Sequence, residues 1–145
     1  MKASVRAGLT MAIVVLLAFV QVAPALAVEP GPFTGTYVVT HYTDPYMWGH
    51  FEFQGTIQDS GNFVLTWEWQ REMYARGTQT FEGKKGNITI EWTARGPQGG
   101  DSGYGKFWIV SGTGEYLGLE GEGDFSLCRP DWGKDIFGSL SGVIK

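Results

Sequence analysis

Two histidines, an acid and three large aromatics fall in one ten-residue run, His41-Tyr42-Thr43-Asp44-Pro45-Tyr46-Met47-Trp48-Gly49-His50. His41 beside Asp44 has the composition of an acid–base pair, and His50 adds a third group able to bind a metal. The spacing is not that of a metal site. The two histidines stand nine residues apart without the i, i+4 repeat that puts two imidazoles on one helical face, so no metal is expected. With Pro45 at its centre the run reads as a long loop, in which His41, Asp44, Trp48 and His50 would sit at the mouth of whatever scaffold carries them. Glu52, Glu68 and Glu91 form a second set. Two carboxylates brought together raise one pKa and make a proton donor, but Arg76 and Arg95 are at hand, and an outer lattice of ion pairs is the simpler expectation.

The elements that must position these residues are strands. Alternation of apolar and polar residues marks eight of them, at residues 33–41, 49–57, 62–70, 72–82, 86–95, 106–111, 119–128 and 136–144. The links between them carry turn chemistry: Asp59-Ser60-Gly61, Gly83-Lys84-Lys85-Gly86, Gly96-Pro97-Gln98-Gly99-Gly100 and Pro130-Asp131-Trp132-Gly133. Short links make neighbouring strands antiparallel. The fold expected is therefore all-β, an eight-stranded antiparallel up-and-down β-barrel, because closure removes the exposed edges of the sheet.

Alternation also sorts the faces. Phe63, Leu65, Trp67 and Trp69 share one side of their strand, Phe51, Phe53 and Ile57 one side of theirs, and Ile88, Ile90 and Trp92 one side of a third. These sides face inward, leaving the glutamates outside. Tyr37, Phe53, Trp67, Trp69 and Trp92 are the candidate lining of the interior. An eight-stranded barrel is wide enough either to be filled by such side chains or to hold one small ligand, and both outcomes stay open. Buried indole N–H groups need acceptors, which calls for some polar lining.

Glycine is costly within a strand, so the alternate Gly121 and Gly123, on the face of Leu119 and Phe125, mark a bend or the close approach of another backbone. The segment Gly112-Thr113-Gly114-Glu115-Tyr116-Leu117-Gly118-Leu119-Glu120-Gly121-Glu122-Gly123-Asp124-Phe125, with Trp108-Ile109-Val110-Ser111 leading into it, resembles the turn and strand of the allene oxide cyclase barrel-like group, which includes the dirigent proteins. That resemblance covers about two strands. It implies a barrel, with a homo-oligomer as one possible state and an apolar pocket as an optional feature. Allene oxide cyclases steer a fatty-acid epoxide with acidic and amide groups around their first strands, yet residues 33–43 contain no Asp, Glu, Asn or Gln. The reaction is thus not carried across. Phe33-Thr34-Gly35-Thr36-Tyr37 also looks like the opening strand of lipocalin and avidin-like (calycin-like) barrels, which would again make a binder.

The N-terminus has the pattern of a signal peptide. Lys2 and Arg6 precede an apolar run at residues 11–20, and Ala25-Leu26-Ala27 is a small-residue cleavage site. Residues 1–27 are expected to be removed, leaving residues 28–145 as one exported domain, secreted or periplasmic, without a membrane anchor. The net charge of the chain is −4, and loss of Lys2 and Arg6 makes it more negative. No basic cluster offers a footprint for nucleic acid. Cys128 is alone, so no intrachain disulfide forms, and a buried or half-buried thiol at a strand end is expected, against a bridge or nucleophile. Asn87-Ile88-Thr89 has the pattern of an N-glycosylation acceptor.

No cofactor is called for. The function these observations favour is non-catalytic binding of a small apolar or aromatic molecule. The alternatives are a cyclase or isomerase, and an interaction or inhibitor domain with a filled barrel that uses loop residues such as Tyr104 and Trp132 as anchors.

Overall fold

A computed structural model describes residues 28–71, 73–96, 102–129 and 135–145. The expected signal peptide at residues 1–27, Trp132 and most of the two Pro-containing turns after residues 96 and 129 lie outside the described residues. Eight antiparallel strands form a closed barrel: β1 (Gly31–Thr43), β2 (Tyr46–Gly55), β3 (Asp59–Arg71), β4 (Tyr74–Gly83), β5 (Asn87–Arg95), β6 (Ser102–Gly112), β7 (Gly121–Cys128) and β8 (Ile136–Ile144). Each strand pairs with its neighbour in sequence, and β8 returns to β1, so that no edge remains unpaired. This is the up-and-down barrel that the alternation predicts.

The strand ends define two poles. At the lower pole lie the start of β1, the links β2–β3 and β4–β5, and the β6–β7 link with its 3-10 turn Gly114–Tyr116. The links β1–β2, β3–β4, β5–β6 and β7–β8 lie at the upper pole. Inward positions follow the period of two: Phe33, Tyr37 and Val39 on β1, Met47, Phe51 and Phe53 on β2, Phe63 and Leu65 on β3, and Ile88, Ile90 and Trp92 on β5 are all buried.

Gly123 does what its place in the sequence implies. A Cβ there would meet the Ser141 carbonyl and the Gly142 Cα of β8, and would lie 2.8 Å from Cε1 of the buried Phe107 ring. The missing side chain lets β8 and Phe107 close over β7. Gly123→Ala should destabilise the barrel by about 2 kcal/mol, since neither a backbone nor a fully packed ring gives way cheaply; urea unfolding of the variant checks this.

Four expectations need correction. The run 41–50 is not a long loop: β1 and β2 stay paired up to Thr43 opposite Tyr46, so the link shrinks to Asp44-Pro45. Tyr104 is not on a loop either, because β6 starts at Ser102 and its alternate glycines Gly103 and Gly105 face inward where a turn was expected. Asp59-Ser60-Gly61 already belongs to β3, the turn having been made just after Gly55, which takes φ of +100°. Cys128 is exposed, since it lies on the outward side of β7, opposite Phe137.

Candidate functional site

The lower half of the interior is solid. Phe33, Phe53, Phe81, Ile90, Phe107 and Leu140 enclose no space that would admit a water molecule. Edge-to-face contacts lock the rings, with centroids 5.8 Å apart for Phe33 and Phe53 and 4.8 Å for Phe53 and Phe81. The lower pole is closed beneath them by Tyr116, which is buried and donates its hydroxyl to Asp59 Oδ2 over 2.9 Å.

The upper half differs because polar atoms enter it. Gln79 of β4, two residues above Phe81 on the inward side, is 0% exposed, and neither its Nε2 nor its Oε1 has a hydrogen-bond partner among the described residues. Trp92 of β5 lies two residues above Ile90, and its indole stacks on Phe125 with centroids 4.8 Å apart and planes 7° from parallel. The indole Nε1 is buried and likewise has no partner among the described residues. The register sets Gly77 opposite Trp92 and Gln79 opposite Ile90, so the two side chains are diagonal neighbours on one wall. Leaving such groups unpaired costs about 1–3 kcal/mol each, and buried polar groups in folded proteins nearly always have a partner. Two donor atoms and one acceptor on this wall thus have no partner among the described residues.

Tyr37 shows the opposite arrangement. Its ring packs against Phe63 and Phe125, and its hydroxyl donates to the Ser126 carbonyl over 2.9 Å. Burial pushes its phenol well above the usual tyrosine range, so it stays neutral. Among the described residues the buried interior contains no acid, base or cation.

Above this wall stand Trp67 and Trp69 of β3, half-buried against the core on the inward side. Their rings are 5.7 Å apart, and Tyr42 meets Trp67 edge-on at 5.9 Å. Trp67 Nε1 donates to Asp44 Oδ1 over 3.1 Å, so the aspartate holds an aromatic at the upper pole rather than a histidine. Partial burial raises the Tyr42 phenol, the Asp44 carboxylate adds to that, and the Arg129 charge opposes it.

The remaining candidates are placed elsewhere. His41 Nδ1 contacts the Thr40 hydroxyl at 3.1 Å, and His50 Nδ1 lies 2.8 Å from Asn62 Oδ1, which makes His50 the donor. His50 and Trp48 alternate with the inward Met47, Gly49 and Phe51, so both face outward, where Trp48 stacks on Tyr46. Among the described residues no group of three or more His, Cys, Asp or Glu could hold a metal ion. Glu52, Glu68 and Glu91 are all exposed on the outer face. Glu68 pairs with Arg76 at 3.4 Å, Glu91 accepts from Trp108 Nε1 over 3.2 Å, and Glu52 accepts from Gln54. Of the three glutamates only Glu68 forms an ion pair with a described residue, so the expected lattice shrinks to Glu68–Arg76, and Arg95 takes no part in it among the described residues.

A groove of about 820 Å³ runs over the outer face of β3 to β6, between Glu68, Arg76, Thr78, Glu91 and Trp108. Much of its polar chemistry is consumed internally by Glu68–Arg76, Glu91–Trp108 and the Thr66–Thr78 contact at 2.8 Å. The interior wall is the stronger candidate for that reason. No protein-family model matches the chain, and no curated protein matches it.

Gln79 is the residue that the strand pattern alone does not reveal. Its signal is parity: on β4 the inward positions are Ala75, Gly77, Gln79 and Phe81. Phase counted back from Phe81 puts a primary amide into the core.

Proposed function

We propose that this protein is an exported, non-catalytic binder of a small apolar or aromatic molecule, held in the upper half of the barrel with one polar group against Gln79 and Trp92. The unpartnered, fully buried amide of Gln79 carries the reading. An amide both donates and accepts, and the indole beside it donates, so the group they suit is a neutral one such as a carbonyl, hydroxyl or amide. A charged head would be disfavoured, since no buried cation or anion among the described residues would offset it. Leu65, Trp67 and Trp69 would supply the apolar contact, and entry would be from the upper pole, because the lower one is packed shut.

Binding is favoured over cyclase or isomerase activity by the lack of an acid or base on this wall among the described residues. The resemblance of residues 112–125 to allene oxide cyclase-like barrels is in keeping with an apolar ligand, and the N-terminal pattern with export. Native mass spectrometry of the mature protein, isolated from the compartment to which it is exported, tests the reading. A discrete extra mass released by organic solvent is the expected result. A bare mass, together with no binding from lipid and phenolic libraries, would sink it and leave a filled barrel.

A further inference from the structure

The uppermost rung of the outer face has a composition unlike the rungs beneath it. The ladder sets Arg71 opposite Tyr74, Tyr74 opposite Arg95, and Arg95 opposite Tyr104, so arginine and tyrosine alternate across β3, β4, β5 and β6. One rung lower, the cations are matched: Arg76 pairs with Glu68, and Lys106 with Asp124. Lys145, at the lower pole, pairs with Glu122 at 2.9 Å. Neither Arg71 nor Arg95 has an acid partner among the described residues, in a chain whose net charge is −4.

Geometry brings the two guanidinium groups toward one place. Neighbouring strands stand about 4.8 Å apart, so Arg71 and Arg95 flank Tyr74 at roughly 10 Å between backbones, within reach of two long side chains converging above the ring. Arg71 already leans that way, with Cζ 5.8 Å from the Tyr74 ring centroid. Stacking on a ring leaves the N–H groups of a guanidinium free to donate. The space is concave: a cleft of about 480 Å³ is lined by Arg71, Met73, Tyr74, Arg95, Ser102 and Tyr104, with no described acid in its wall. Met73, two residues after Arg71, takes φ of +64°, the left-handed conformation that a tight hairpin link such as β3–β4 requires.

We propose that this rung is a binding site for an oxyanion carried on a ring, with the carboxylate or sulfate group between Arg71 and Arg95 above Tyr74 and the ring against Tyr104. Two guanidinium forks suit a planar or tetrahedral oxyanion, and Tyr104, 69% exposed, gives a free aromatic face beside them. The site lies on the outside of the barrel and is independent of the interior wall.

The test is a titration of the isotope-labelled protein with sodium sulfate and with sodium benzoate at constant ionic strength, following backbone amides and arginine Nε–Hε signals. Saturable shifts of the Arg71 and Arg95 signals are expected, with affinity at least tenfold lower in Arg95→Gln, whose melting temperature should match that of the parent. Arg95→Lys, which keeps the charge and loses the fork, should also weaken benzoate. Tighter binding of benzoate than of sulfate, lost in Tyr104→Ser, supports a ring-borne anion; equal binding of the two supports the oxyanion site and overturns the part given to the ring. Shifts that rise without saturation, or that Arg95→Gln leaves unchanged, overturn the site altogether.

Discussion

Gln79→Leu should raise the melting temperature of the ligand-free protein while weakening its interior ligand about a hundredfold. Leucine is one bond shorter than glutamine but similar in volume and carries no polar atoms, so the substitution removes two orphaned atoms from a fully buried position without opening a large cavity. The gain expected in the empty barrel is about 2 kcal/mol, the cost of burying such groups unpaired. The ligand suffers the opposite effect, because its own polar group then faces leucine; a loss of about 2.7 kcal/mol is the hundredfold change. Calorimetric melting with and without ligand separates the two. A core glutamine with no ligand to serve would give the first effect without the second. A variant less stable than the parent would mean that Gln79 has a partner in solution, and a buried water would be the simplest one.

How far this wall was legible in the sequence depends on how strongly each strand states its phase. β2, β3 and β5 declare theirs through bulky apolar residues at alternate positions, so Phe53 and Trp92 were readable as buried, and Trp67 and Trp69 as inward. β4 barely does: its inward side holds Ala75, Gly77 and Gln79 before Phe81, and its outward side is rich in threonine and charge. A slip of one residue would turn Gln79 outward, and only the paired register excludes it. The β1–β2 hairpin misled for a different reason. His, Asp and Pro within residues 41–50 suggest a loop, but Tyr42, Tyr46 and Trp48 are strong strand formers, and the Tyr46–Trp48 stack, at 5.8 Å, covers the outer face of the paired ends. The same composition therefore serves a strand, and the proposed acid–base pair dissolves because Asp44 is taken by Trp67.

Closure of the lower pole rests on Asp59, and Asp59→Ala should cost about 3 kcal/mol in urea unfolding at pH 7. Its Oδ1 accepts from the backbone N–H of Ser60 and of Lys84, at 2.8 and 3.0 Å; Oδ2 accepts from the N–H of Lys85 and the hydroxyl of Tyr116, at 3.1 and 2.9 Å. One carboxylate thus ties the start of β3 to the β4–β5 link and to the 3-10 turn under the core. Asp59→Asn should lose about half as much, since an amide keeps one acceptor oxygen and turns an N–H₂ group toward donors on the other side. The pH dependence follows from the same contacts. Burial pushes the Asp59 carboxyl up, but the N–H groups of Lys85, Lys84 and Ser60 and the Tyr116 hydroxyl outweigh it, and the net shift is below the usual aspartate value. A carboxyl that is more acidic when folded contributes its stability in full above its unfolded value, near pH 4, and loses it as pH falls through the lower folded value. The gap between the parent and Asp59→Asn should therefore be constant from pH 7 to about 5 and narrow below about 4. Tyr116 acts on the alkaline side: burial, the Asp59 hydrogen bond, and the Asp59 and Glu115 charges raise its phenol. The raised phenol favours the folded state fully below its unfolded value near pH 10, and the benefit fades as pH climbs toward the higher folded value. A gap that stays constant down to pH 2 would mean that hydrogen bonding to the ionised carboxyl does not hold this pole. In that case the solid lower half, and not the Asp59 hub, would have to be what confines ligand entry to the other end.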